Sequence, residues 1–284
     1  MTESLALLRD LLPVRRPVEV LDVGANPLDD PVPYLPLLRA GLAHVTGFEP
    51  QPEALARLRE TAGEHETYLP DAVGDGQKHT LHLCRESGFT SLLRPDERRL
   101  AALVDFPRLG EVVGTEQVRT RRLDDIEQVE RVDLLKIDVQ GSELMVIEHG
   151  RRTLGAMVAA QVEMSFFRLY EGQPTFAEVD TALRSLGLAP QQVVQSRTWP
   201  LTPTQWADPW QEQSRQLLEC DLLYTRDVTE LDRLDDDQLV ALALVCEGAY
   251  GQRGMTRSCL RELARRAAVG REAERVYLGL SPAR

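Results

Sequence analysis

The chain has 284 residues, 43% apolar and 27% charged, with 45 Asp and Glu against 33 Lys and Arg for a formal charge of −12. That length can bury one sizeable core and a small second domain. The acidic balance argues against nucleic acid as a partner, because an acidic surface repels a phosphate backbone. Nothing approaches the roughly 18 consecutive apolar residues of a membrane span, so no membrane partner is expected. Cys84, Cys220, Cys246 and Cys259 form no CxxC pair, which leaves out a zinc ribbon or a redox motif and fits a reducing cytoplasm.

Residues 1–10 lack the basic start and long apolar core of a signal peptide and read as a short amphipathic helix. Val18 to Gly24 reads as a buried strand, rich in Val and Leu. A helix is expected from about Pro33 to Ala40-Gly41, since Pro suits a first turn and Gly a C-terminal cap. A second strand covers about 44–48, a helix 52–60, and a third strand with its exit loop 67–73. His79 to Cys84 alternates as an exposed strand would. Residues 85–120 read as irregular and polar, with a short strand at 118–122. Such a long connection in an α/β core is often functional. Val132 to Asp138 is a second clear buried strand, followed by a helix through Glu148, a strand at 158–163 and a helix at 176–186. Gln191–Val194 and Cys220–Tyr224 read as two late antiparallel strands, with Trp199, Trp206 and Trp210 in the loop between them. From 228 onward only helical spacing remains. The expected organisation is an α/β domain over 1–227 and a small helical appendage over 228–284. Its sheet is mostly parallel, with helices on both faces.

Two motifs carry chemistry. The first strand ends in Asp22-Val-Gly24-Ala-Asn26. At the carboxyl edge of an open sheet, Gly24 admits a ligand to the backbone and Asp22 can hold a cationic or hydroxyl group. A dinucleotide turn would show G-x-G-x-x-G. This chain shows Gly24-Ala-Asn-Pro-Leu-Asp29, lacking the later glycines and supplying acids where a pyrophosphate would need none. S-adenosylmethionine, a sulfonium with no phosphate, suits such a pocket better than NAD. Glu49 ends the second strand and can accept the hydroxyls of a ribose. Asp71 or Ala72, at the exit of the third, can meet adenine. The second motif is Asp133-Leu-Leu-Lys136-Ile-Asp138-Val-Gln140-Gly-Ser-Glu143. An acid and a lysine in an apolar strand each need a partner. Asp138 can bind a divalent cation, orient an acceptor or take its proton. Glu163, one strand on, is its expected neighbour. The five histidines offer only weak candidates for a base.

With Thr46-Gly-Phe-Glu49-Pro50, Ala72-Val-Gly-Asp75 and Gln161-Val-Glu163, these motifs resemble the FkbM family of S-adenosylmethionine-dependent methyltransferases over about residues 18–225. The resemblance implies a Rossmann-like, seven-stranded class I methyltransferase sheet and transfer to a hydroxyl oxygen of a sugar or other natural product. It assigns Asp22, Gly24, Asn26 and Glu49 to the cofactor. The stretch Pro27 to Pro33 departs from the family's glycine-containing turn, and the helices after 227 lie outside the likeness. Related small-molecule O-methyltransferases hold Mg2+ with acids at these strand ends, so Asp138 and Glu163 are the metal candidates as well as the catalytic ones. Asp71, Ala72 and Asp138 complete the expected cofactor site. A nicotinamide-dependent oxidoreductase and a non-catalytic nucleoside-binding module are the alternatives. The helical tail is a candidate for a homodimer contact or for closing the acceptor cleft.

Overall fold

The structure, a computed structural model, describes residues 3–25 and 31–279. Among these residues ten strands form two sheets. The large one contains β1 (Val18–Val23), β2 (Ala43–Phe48), β3 (Glu66–Leu69), β7 (Leu134–Ile137), β8 (Ala159–Ser165), β9 (Leu188–Pro200) and β10 (Arg215–Arg226), in the order β3-β2-β1-β7-β8-β10-β9. Strands β3, β2, β1, β7 and β8 pair in parallel, and β10 runs antiparallel to both β8 and β9. This is the Rossmann-like seven-stranded arrangement that the family resemblance implies, with the mostly parallel pairing that the alternation of strands and helices predicts. The small sheet joins β4 (Ala72–Val73), β5 (Lys78–Cys84) and β6 (Val112–Arg121) in the order β4-β6-β5.

The helices are α1 (Glu3–Leu11), α2 (Leu35–Arg39), α3 (Pro52–Thr61), α4 (Glu97–Leu100), α5 (Phe106–Leu109), α6 (Glu143–Glu148), α7 (Arg151–Leu154), α8 (Phe176–Ser185), α9 (Asp236–Gly248), α10 (Arg253–Arg265) and α11 (Ala273–Gly279). Leu21, Val23, Leu135, Ile137, Ala160 and Val162 point to the face covered by α6 and α8. Their strand neighbours Val18, Val20, Leu134 and Ala159 point to the face covered by α1, α2 and α9. The C-terminal helices therefore share a core with the sheet. Helix α9 is apolar nearly all round, with Leu239 to Glu247 buried, because it lies between the sheet and the other helices. Its start is fixed by a capping box. The Gln238 N–H donates to Asp235 Oδ1 at 2.7 Å, and the Asp235 N–H donates to Gln238 Oε1 at 3.0 Å.

Two regions differ from the sequence pattern. Strand β6 has ten residues where five were expected at 118–122, and most of its side chains are exposed. Backbone pairing with β5 holds it, so no apolar alternation marks it. Strand β9 runs 13 residues on the sheet edge, again mostly exposed, and carries Trp199 within the strand. The 86–110 segment folds into short helices around a separate apolar cluster of Leu100, Leu103, Phe106, Leu169, Tyr170 and Leu218. Among the described residues, no helix is long and apolar enough to cross a membrane.

Leu242 is fully buried between α9 and the rest of its cluster. Leu242→Ala should cost about 2–5 kcal/mol of unfolding free energy, read from denaturant midpoints at unchanged slope.

Candidate functional site

A cavity of about 500 Å³ opens along the carboxyl edge of the large sheet, within the usual range for small-ligand sites. Its wall follows the strand order. Asp71 and Ala72 come from the exit of β3, Glu49 from the end of β2, Gly24 from the end of β1, and Lys136 and Asp138 from β7. Arg197, Trp199 and Glu219 come from β9 and β10 at the far side. Phe89, Ser91 and Phe106 from the 86–110 segment also line it.

Strands β1 and β7 nearly touch at their tips. Gly24 has φ +84°, and a Cβ built on it would lie 2.0 Å from the carbonyl oxygen of Asp138. Only glycine fits that close approach. The Asp138 N–H donates to Val23 O at 3.1 Å, which locks the two tips together.

Glu49 is buried, with 3% of its surface exposed. Burial raises its pKa, and the Gln51 N–H, donating to Oε1 at 2.7 Å, partly offsets the rise. Its second oxygen has no partner among the described residues. Asp71 is paired with Arg121 at 3.2 Å. Ser142 Oγ is buried in the cavity wall and has no partner among the described residues. A free carboxylate oxygen and an orphan hydroxyl along one cleft fit a ligand that brings its own hydroxyls and amines, as an adenosyl group does.

Asp22 sits differently from the residues around it. It is only 1% exposed and is not part of the cavity wall. Its Oδ2 accepts from the Tyr34 hydroxyl at 2.6 Å and its Oδ1 from Lys136 Nζ at 3.0 Å. Lys136 stands opposite Asp22 in the β1–β7 register and reaches the cavity in its place. Burial pulls the Lys136 pKa down, but the charges of Asp22 and then Asp138 outweigh it, so the net shift is upward and the ammonium stays charged. Asn26 lies outside the described residues.

Asp138, Glu143 and Glu163 come together: one carboxylate oxygen from each falls within 4.8 Å of the others. An amide bridges two of them. Gln140 Nε2 donates to Asp138 Oδ1 at 2.7 Å and to Glu163 Oε2 at 3.3 Å. The Tyr170 hydroxyl donates to Gln140 Oε1 at 3.2 Å and holds the amide in that orientation. Glu143 Oε1 accepts the N–H groups of Val139 and Gly141. Burial, reinforced by Asp138, raises the pKa of Glu163 well above the carboxylate range. Burial likewise pushes Glu143 up to about 7. A hard divalent cation wants six or more oxygen ligands. This cluster offers three carboxyls, and the Gln140 amide already takes one oxygen of Asp138 and one of Glu163. As arranged, those two oxygens serve the amide and do not stand free for magnesium. Glu163 itself lies behind Gln140 rather than in the cavity wall.

Residues 22–188 match the family described as the Methyltransferase FkbM domain. The chain belongs to the FkbM methyltransferase family. It is 32% identical over 184 residues to the 2-O-methyltransferase NoeI of Sinorhizobium fredii, covering 61% of this chain and 73% of that protein. Similar solved structures include a TehB-like SAM-dependent methyltransferase from Corynebacterium glutamicum (14% identity, 79% of this chain and 87% of that chain, TM-score 0.35). Another is the plantazolicin methyltransferase BpumL in complex with SAH (10% identity, 79% and 82%, TM-score 0.35). As an FkbM-family member the chain is an S-adenosylmethionine-dependent methyltransferase. Glu219, Arg197 and Trp199 in the cavity wall were not singled out from the sequence as site residues. Arg197 and Trp199 arrive from β9, which is mostly exposed, and Glu219 from the more buried strand β10, and neither pattern gives a sign of a cavity.

Glu143 makes a pH prediction. Its folded pKa of about 7 lies above the ordinary 4.5. The folded state therefore holds a proton that the unfolded chain releases, and stability falls as pH rises from about 4.5 to 7. Glu143→Gln keeps an acceptor oxygen and cannot ionise. It should gain stability over the wild type at pH 8, by at most on the order of 3 kcal/mol. The difference should vanish near pH 4 in urea unfolding.

Proposed function

We propose that this methyltransferase transfers its methyl group to a hydroxyl oxygen of a small molecule, a sugar or other natural product, without a metal ion. One observation carries the reading: a single cleft runs from the buried acceptor Glu49 to the Asp138 carboxylate, walled beyond it by Phe89, Phe106 and Trp199. Glu49 would hold the ribose hydroxyls of the cofactor, and Asp71 and Ala72 would meet its adenine. S-adenosylmethionine supplies the methyl group as an electrophile on sulfur. The chain's task is to place an acceptor oxygen in line with that methyl and to exclude water, which accounts for most of the rate. As the new O–C bond forms and the C–S bond breaks, the hydroxyl proton passes to Asp138. Gln140 holds one Asp138 oxygen at 2.7 Å and leaves the other for the acceptor. Glu163 acts from behind Gln140 as a positioning residue. The 32% identity to a 2-O-methyltransferase supports oxygen as the acceptor atom.

Magnesium has no role in this reading, because the Gln140 amide takes an oxygen of both Asp138 and Glu163. Treatment with EDTA should leave turnover unchanged. A loss restored by Mg2+ would show that the amide swings aside for a cation.

Calorimetry should show saturable binding of S-adenosylhomocysteine and none of NAD. The reverse result would end the methyltransferase reading. Asp138→Asn should lower kcat by about 100–10,000-fold with the melting temperature held. Turnover near the wild-type rate would remove Asp138 as the base.

A further inference from the structure

Two cations stand in the cavity wall among the described residues, Lys136 and Arg197. Arg197 is engaged: its Nη1 lies 2.8 Å from Glu219 and 3.9 Å from Glu163. Lys136 Nζ makes one hydrogen bond, to Asp22. An ammonium has three N–H donors, so two remain for whatever enters the cleft. Asp22 has both oxygens occupied, by Tyr34 and Lys136. The group on this pair that awaits a ligand is therefore the lysine.

The strand order says which part of the ligand reaches it. If adenine lies towards the exit of β3 and the ribose over β2, the remainder of the molecule lies over β1 and β7, roughly 14 Å from β3 at strand spacing. There it meets Gly24 and Lys136. The methionine portion of the cofactor carries a carboxylate, which must find donors when it leaves water. Of the nine residues that follow Gly24 in sequence, Pro27, Pro31 and Pro33 have no backbone N–H to offer. Most of the charged residues in the wall are acids.

We propose that Lys136 receives the α-carboxylate of the cofactor's methionine portion, and that Asp22, held by Tyr34, is the positioning residue that aims the ammonium. This deepens the adenosyl-ligand reading of the same cleft and rests on it. It also accounts for a lysine in the middle of an apolar strand. The acids that favour a sulfonium would repel the carboxylate at the other end of the same ligand, and one aimed cation removes that conflict.

The test is calorimetry on the full chain with three adenosyl thioethers: S-adenosylhomocysteine, its decarboxylated analogue, and 5′-methylthioadenosine, which lacks the amino-acid portion. The wild type should prefer S-adenosylhomocysteine over the decarboxylated analogue by about 10–100-fold, the span of a charge-assisted hydrogen bond. Lys136→Met should cut that preference to less than about 3-fold by weakening S-adenosylhomocysteine alone, with 5′-methylthioadenosine unchanged. Should Lys136→Met fail to fold, the double variant Asp22→Asn/Lys136→Met, which buries no unpaired charge, takes its place. A wild type that binds the acid and its decarboxylated analogue equally overturns the assignment. So does a variant that loses all three ligands in parallel, the mark of a structural lysine. Failure of every adenosyl thioether to bind the wild type would sink the cofactor reading itself, a different outcome from equal binding.

Discussion

The ion pair between Asp22 on β1 and Lys136 on β7 is the constraint around which the site is built. On the face that α1, α2 and α9 cover, the inward side chains change character halfway along the strands. Val20, Leu134 and Ala159 are apolar, and the next inward residues, Asp22, Lys136 and Gln161, are polar and stand in register with one another. The pair closes the apolar layer and begins the ligand cleft. Removing either partner would strand a buried charge, which commonly costs about 3–5 kcal/mol. With both present, the layer ends cleanly, and the β1 and β7 tips meet where only Gly24 has room.

Beyond that pair the cleft concentrates acids, and the fold limits their mutual repulsion by two means. Burial raises the pKa values of Glu143, Glu163 and Glu219, which favours proton retention and removes charge. The Gln140 amide then links Asp138 to Glu163 without adding a full positive charge. Gln140 itself has φ +51°, a left-handed conformation that non-glycine residues adopt at a cost of order 1–3 kcal/mol and that clusters at working sites. That backbone turn aims the amide between the two acids. The result is a cleft that favours a sulfonium while carrying less charge than its composition implies.

The outer parts of the molecule decide what else enters. The 86–110 segment packs Phe89 edge-on against Phe106, and Phe106 packs against Trp199 from β9. An aromatic wall thus forms from pieces of chain about 90 residues apart in sequence. On the opposite side of the molecule α9 seals the sheet. Its position beneath the polar row lets Tyr250, just past its end, donate to Gln161 at 3.1 Å. The C-terminal helices therefore support the floor of the site as well as the core.

Short-range chemistry was legible in the sequence. Apolar runs ending in Asp22, Glu49 and Asp138 marked three strand tips. The spacing of their glycines, prolines and acids indicated a phosphate-free nucleoside site before any contact was known. Those features are local because a buried strand must be apolar along its length and can turn polar only where it ends. The direction of each side chain was not legible. Asp22 read as a ligand-facing acid and is a buried anchor, because its neighbour across the sheet, 114 residues later, is a lysine. Glu163 read as the neighbour of Asp138; it is joined to it through the Gln140 amide and stands outside the cavity wall. Strand β9, on the sheet edge, and strand β6, in the middle of the small sheet, left little periodic mark because most of their side chains are exposed and the backbone does the pairing. Partner choice, proton retention and the aromatic wall depend on which strands lie side by side, and only tertiary packing decides that.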